Sequence, residues 1–182
     1  MGIQFVTGQR LTANLMNANI YDFMPVTTIK TSSTARTNNT LTADPDLAGI
    51  ALAAGTYEIE AVIFYTITAN GQQGLKTRWA FTGTWNGSSS RGCYGGGYIA
   101  ATTAGDPRVQ TVTAMASWTL DSQDALYNTL QASSVRNVVR EISRNVVVTV
   151  AGTMSLNWAQ IVTNANATTI QPDSHINIRK IA

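Results

Sequence analysis

The chain has 182 residues and a formal net charge of +2, and only 12% of its residues are charged, against roughly 25% in an average globular domain. Its 44% of hydrophobic residues are sufficient for a core, so the polar surface must come mainly from Thr, Ser, Asn and Gln. The sequence has no basic run that would indicate nucleic-acid binding and no apolar stretch that could span a membrane, and its single cysteine excludes an internal disulfide.

Residues 1–24 differ in pattern from the rest of the chain. Leu11, Leu15, Met16 and Ile20 recur at roughly helical spacing, although the asparagines among them lower the helix propensity. Because a short isolated helix is marginal in water, we expect this segment to dock, either on its own domain or on a partner. The start MGIQFVTGQR lacks the basic residues and apolar run of a signal peptide, which predicts synthesis in a cytoplasm without an export signal.

Beyond Pro25, strand patterns alternate with polar turns. Residues 32–46 are rich in Ser, Thr and Asn and predict a surface loop. The strongest strand is GTYEIEAVIFYTIT, in which one face carries Tyr57, Ile59, Ala61, Ile63 and Tyr65. Glu58 and Glu60 begin its opposite face. The stretch GLKTRWAFTGTW follows a GQQG turn and has Leu75, Thr77, Trp79 and Phe81 on one face, so the two strands are predicted to form a hairpin.

Residues 86–107 are rich in glycine and polar residues. They lack the lysine and glycine order of a phosphate-binding loop, so we interpret them as a long loop or an irregular edge strand. Residues 121–144 are ambiguous: Val135, Val138, Val139 and Ile142 fit a helix face, but β-branched residues favour strands, and we expect loop and strand.

The C-terminal stretches VVVTVAG, TMSLNWAQ and HINIRKI alternate again between apolar and polar residues. In the second of them, Trp158 shares a face with Met154 and Leu156, which predicts a core position. Many short strands, frequent turn signals and one weak helix together predict an all-β, antiparallel sandwich or barrel.

Catalysis is the function class with the least support in the sequence. One histidine, His175, and one cysteine, Cys93, are too few for a zinc site or for a nucleophile with its base. Glu58 and Glu60 could form a glycosidase-type carboxylate pair, but a solvated strand face is the simpler interpretation. We therefore expect no catalytic residues, no metal and no cofactor.

Three stretches resemble known families. FVTGQRLTANLMNANI resembles the N-terminal segment of tailed-bacteriophage virion proteins, with matches at Gly8, Leu11, Thr12, Ala13, Leu15 and Asn17. The C-terminal GTMSLNWAQIVTNANATTIQPDSHINIRKIA resembles the end of minor tail and fibre proteins of phages infecting actinobacteria, with matches at Gly152, Thr153, Leu156, Trp158, Ala159, Gln160, Thr168, Thr169, Ser174, Arg179 and Ile181. The central Gly55 and Tyr57 are similar to the Gly-x-Tyr strand of tumour necrosis factor and complement globular-head jelly rolls.

The resemblance implies a non-enzymatic structural component of a bacteriophage virion. It implies a virion-docking segment, residues 1–24, and a jelly-roll β-sandwich, residues 25–182, that forms a homotrimer and binds other virion proteins. The docking contacts implied are Phe5, Leu11, Leu15, Met16 and Ile20. Gln160 is expected either at a subunit contact or in a turn.

Several roles stay open at this point. Within a virion the first is a minor tail or fibre protein, and the second is a capsid decoration or head-fibre protein. The third is a tip that holds a host-surface glycan, with Trp85, Tyr94 and Tyr98 as its candidate ligand contacts unless these are packing anchors. Outside the virion, the alternatives are a non-viral trimeric ligand-binding module and a polysaccharide-degrading enzyme.

Overall fold

A computed structural model of the chain describes residues 24–68, 74–86, 90–97, 109–110, 116–117, 124–127 and 133–182. None of these residues belongs to a helix that could cross a membrane. Their strands are β1 (Val26–Ile29), β2 (Thr34–Arg36), β3 (Thr42–Ala43), β4 (Ile50–Leu52), β5 (Gly55–Ile67), β6 (Leu75–Phe81), β7 (Thr84–Asn86), β8 (Ser90–Gly97), β9 (Val109–Gln110), β10 (Ala116–Ser117), β11 (Ala125–Tyr127), β12 (Ser133–Val150), β13 (Gly152–Ala159), β14 (Thr168–Ile170) and β15 (His175–Lys180).

The strands form two antiparallel sheets. Sheet A follows the order β1–β15–β5–β12–β8–β10, with β14 and β2 attached at β5, β7 at β12 and β9 at β8. Sheet B follows the order β11–β6–β13–β3, with β4 beside β13. The prediction of an all-β antiparallel sandwich is confirmed.

The core lies between the two sheets, where the apolar faces of alternating strands meet. From sheet A, the predicted face of β5 is buried from Tyr57 to Tyr65, and from sheet B the fully buried side chains include Trp79, Leu156 and Trp158. Burial alternates with period two along β5, β6 and β15, as expected when one face of a strand packs on the core and the other meets solvent.

The predicted hairpin between β5 and β6 is wrong. β5 pairs with β12, β14 and β15 in sheet A, whereas β6 pairs with β11 and β13 in sheet B. The chain therefore crosses from one sheet to the other between these strands. Two strands with one apolar face each can pair edge to edge or face each other across a core, and alternation alone does not distinguish the two arrangements.

The two stretches that were hardest to interpret contain β8 and part of β12 in sheet A, and β11 in sheet B. The glycine-rich β8 pairs with β12 on one side and with β9 and β10 on the other, so it is neither a loop nor an edge strand. Within residues 121–144, the described parts are almost entirely strand, in line with the expectation of loop and strand. β12 extends to Val150 with a bulge between Ser143 and Val146, where Asn145 takes a φ of 57°.

Candidate functional site

Trp158 is fully buried on β13, as the alternation predicted, and polar groups hold it on two sides. Its indole Nε1 donates a hydrogen bond of 2.9 Å to Asp44 Oδ2. The guanidinium of Arg36 lies over the ring, 4.1 Å from its centroid, and donates hydrogen bonds of 2.7 Å to the carbonyls of Thr42 and Ala43. Burial lowers the pKa of Arg36, and the nearby Asp44 partly opposes that shift.

Next to this tryptophan lies a buried ion pair. Lys30 and Asp44 are 1% and 0% exposed, and Lys30 Nζ lies 2.9 Å from Asp44 Oδ1. The same Nζ donates to Thr34 Oγ1 at 2.8 Å and lies 3.5 Å from Asp46 Oδ2. Asp44 Oδ1 also accepts from the backbone N–H of Asp46 at 3.0 Å and of Leu47 at 3.3 Å. The prediction of a surface loop over residues 32–46 is therefore wrong at Asp44, whose carboxylate lies inside the domain, and wrong again at β2 and β3, which are strands.

The backbone fixes both members of this pair. Lys30 directly follows β1, and its N–H and C=O bond to Ser174 and Asp173 at the start of β15 in sheet A. Asp44 directly follows β3, and its N–H donates to the carbonyl of Leu156 in sheet B at 2.9 Å. The ion pair therefore connects the two sheets. The neighbouring Asp46 accepts from the N–H groups of Ser32 and Thr31, which lower its pKa, and Lys30 adds to that shift.

Gln160 fills the turn role, and its subunit-contact role stays a prediction. Its side chain is 0% exposed in a single chain, which favours the turn role. Its Nε2 donates to the carbonyl of Asn166 at 2.5 Å, and its Oε1 accepts from the N–H of Asn164 at 3.0 Å. The amide therefore organises the loop that follows β13, next to the buried Trp158.

The candidate ligand aromatics are only partly within the described residues. Trp85 is buried at 9% exposure, and its ring stacks on Phe81 with a centroid distance of 4.6 Å. It is a packing anchor, because a buried ring cannot offer its face to a glycan. Tyr94 lies on β8, where the structure describes the backbone alone, and Tyr98 lies outside the described residues. The docking residues Phe5, Leu11, Leu15, Met16 and Ile20 also lie outside them.

Glu58 and Glu60 lie on the outer face of sheet A in a cleft of about 440 Å³. Glu58 binds Arg179 at 2.5 Å and Arg144 at 3.0 Å, and Glu60 binds Arg140. Each carboxylate is thus engaged by arginine, which favours a surface ion-pair network over the acid–base pair of a glycosidase. The cleft is a charged strand face, as the simpler interpretation predicted.

Between the sheets, Glu141 of β12 forms a second buried polar cluster. It is 1% exposed and accepts hydrogen bonds from Thr77 Oγ1, from Trp79 Nε1 at 3.0 Å and from Tyr127 OH at 2.7 Å. These donors come from β6 and β11, so a sheet A carboxylate is satisfied by sheet B. Sequence reasoning missed Glu141, because a charged residue within a run of β-branched residues usually indicates the solvent face.

No family model and no curated protein matches the chain.

The first strand carries exposed apolar side chains. Met24, Val26 and Ile29 are 51%, 57% and 55% exposed, and β1 is the outermost described strand at one end of sheet A. Met24 and Val26 border an apolar groove of about 210 Å³, together with Ile50, Leu52, Tyr57 and Ile178. An exposed apolar strand at a sheet edge is a surface suited to association.

The described residues contain no group of three or more His, Cys, Asp or Glu side chains that could hold a metal ion.

Proposed function

We propose that the chain is a non-enzymatic structural component of a bacteriophage virion, of the minor tail or fibre type, and that it acts as a homotrimer. The observation that carries this proposal is the role of the C-terminal motif. Leu156 and Trp158 are core residues, Gln160 organises the following loop, and Thr168 and Ser174 are buried polar residues. The residues of the C-terminal motif thus stabilise the fold, which supports a structural role for the motif.

The edge strand β1 supports self-association. Its apolar residues follow directly on the segment proposed to dock on the virion, and the neutral residues around them are inexpensive to desolvate. A contact that includes Val26 and Ile29 would cover the edge strand, which soluble proteins otherwise protect with charges, prolines or bulges.

The other virion roles differ in where the chain sits and what it binds. A capsid decoration protein would use the same sandwich and the same docking segment, so it remains the second candidate. A glycan-binding tip loses one of its three candidate contacts because Trp85 is buried against Phe81.

Light scattering on the purified chain tests the oligomer. We expect a trimer for the full chain and for residues 25–182. Ile29→Asp should give monomers, whereas Leu126→Asp, at a similarly exposed apolar residue on sheet B, should leave the trimer intact. A monomeric wild-type chain would contradict the trimer, and an unchanged mass for Ile29→Asp would place the contact elsewhere.

Immunogold labelling tests the location. Antibodies against the chain should label the tails of phage particles from the genome that encodes it. Labels on the head would favour the decoration role, and unlabelled particles from a lysate that contains the chain would contradict the virion proposal.

A further inference from the structure

The Lys30–Asp44 pair holds an amine and a carboxylate in direct contact inside the domain. A primary amine and a carboxylate lie 2.9 Å apart, and neither side chain has measurable exposure to solvent. A second carboxyl group, that of Asp46, lies 3.5 Å from the amine and is 23% exposed, so it connects the buried pair to solvent. We propose that Lys30 and Asp44 form an intramolecular isopeptide bond, a covalent modification site that links sheet A to sheet B. This inference does not depend on the proposed function.

Burial favours the condensation over the ion pair. Two charges removed from water are costly, and their mutual attraction only partly offsets that cost. An amide carries no net charge, and the water that forms can leave through the exposed side of Asp46. The nucleophile in the reaction is the neutral amine, so the ammonium of the ion pair must first give up a proton.

The hydrogen bonds around Asp44 match what the reaction needs. The amine nitrogen attacks Cγ of Asp44 and forms the new C–N bond. Trp158 Nε1 and the N–H groups of Asp46 and Leu47 already donate to the two carboxylate oxygens, so they can stabilise the negative charge of the tetrahedral intermediate.

Protons and atoms balance within this group of residues. The ammonium loses two of its three protons, and Asp44 Oδ1, the oxygen that faces the amine, receives both and leaves as water. Oδ2 remains as the amide oxygen and keeps its hydrogen bond from Trp158. Asp46, whose carboxylate accepts from the N–H groups of Thr31 and Ser32 and lies 3.5 Å from the amine, is the base that can carry a proton from nitrogen to the departing oxygen.

Intact mass spectrometry on the denatured full chain tests the proposal without requiring any variant to fold. The wild-type mass should fall short of the sequence mass by one water, after allowance for removal of Met1. Trypsin should not cleave at Lys30, and residues 11–36 and 37–76 should be recovered as one branched peptide. A full sequence mass after prolonged incubation of the folded protein would overturn the proposal.

Matched variants identify the reacting groups. Lys30→Arg keeps the positive charge but should show the full sequence mass, whereas Lys76→Arg, at a lysine that faces Asp124, should retain the deficit. Asp44→Asn should lose ammonia instead of water and yield a product with the same mass as the wild-type product. If Lys30→Arg still lacks the mass of one water, Lys30 is not the reacting amine and the proposal is overturned.

The role of Asp46 has its own measurement. In freshly synthesised Asp46→Ala the deficit should develop more slowly than in the wild type, or not at all. Asp124→Ala, at an aspartate of similar exposure that pairs with Arg78, is the control and should match the wild-type time course. An unchanged time course for Asp46→Ala would remove Asp46 from the reaction.

Discussion

Gln160→Ala separates the two roles that the sequence left open for this residue. If Gln160 organises its own loop, the substitution removes the hydrogen bonds to Asn164 and Asn166 and leaves a small cavity beside β13. Two hydrogen bonds at about 1 kcal/mol each, with the lost packing, give a loss of about 2–4 kcal/mol in the free energy of unfolding. For a chain of this length the melting temperature should fall by roughly 4–16 °C.

Urea denaturation followed by tryptophan fluorescence measures this loss, and light scattering measures the oligomer in parallel. Gln160→Glu keeps the acceptor for Asn164 but replaces the donor to Asn166, so it separates the two hydrogen bonds. Ala165→Ser, at an exposed residue of the same loop, is the control and should change stability by less than about 0.5 kcal/mol. An unfolding midpoint equal to that of the wild type, combined with a smaller oligomer, would refute the loop role and restore the subunit contact.

Three further predictions concern other parts of the sandwich. Gly74 has a φ of +42°, and a Cβ there would lie 2.6 Å from the carbonyl oxygen of Tyr127. Gly74→Ala should therefore lower the free energy of unfolding, measured by urea denaturation, by about 2–4 kcal/mol. Gly49→Ala, at a φ of +71° with open space around the new Cβ, should lower it by about 1 kcal/mol. Burial raises the pKa of Tyr65 from 10.0 to about 12, so its contribution to stability is complete below pH 10 and is lost as the pH rises towards 12. Unfolding midpoints measured across this range should fall less steeply in Tyr65→Phe. Glu58→Gln, on the exposed face of sheet A, should lower the unfolding free energy by under about 1 kcal/mol, and a loss of several would contradict a simple surface network.

Alternation in the sequence was sufficient to predict the buried faces of β5, β6 and β13, but not that of β12, the longest strand. Tyr57 to Tyr65 on β5 and Ile176 with Ile178 on β15 lie inside because period two reports the direction of each side chain. It does not report the partner strand, which is why β5 and β6 were paired wrongly. β8 was not predicted as a paired inner strand for a related reason. Its glycines have no side chains that could show alternation, although their backbone groups pair with β12.

The buried polar groups were not predictable in the same way. Asp44 lies in the stretch predicted to be a loop and Lys30 lies just before it, and only the fold brings the residues that follow β1 and β3 together. Arg36 had no signal in the sequence, yet it covers the Trp158 ring. Such contacts join distant parts of the chain through single side chains, so no local period marks them. Trp158 itself was predictable, but its partners were not.

The pairing of β1 with β15 also determines how the domain would respond to mechanical force. Val26 lies opposite Ile178 and Ile29 opposite His175, so a pull on the segment before Val26, against the end of β15, would separate the two strands one hydrogen bond at a time. Unzipping of this kind resists force weakly, since the bonds break in sequence and not together. The residue that directly follows Ile29 is Lys30, whose side chain is fixed to the opposite sheet at Asp44. With the isopeptide bond proposed above in place, peeling of β1 would stop at Lys30 after one short strand, whereas the ion pair alone would separate under load.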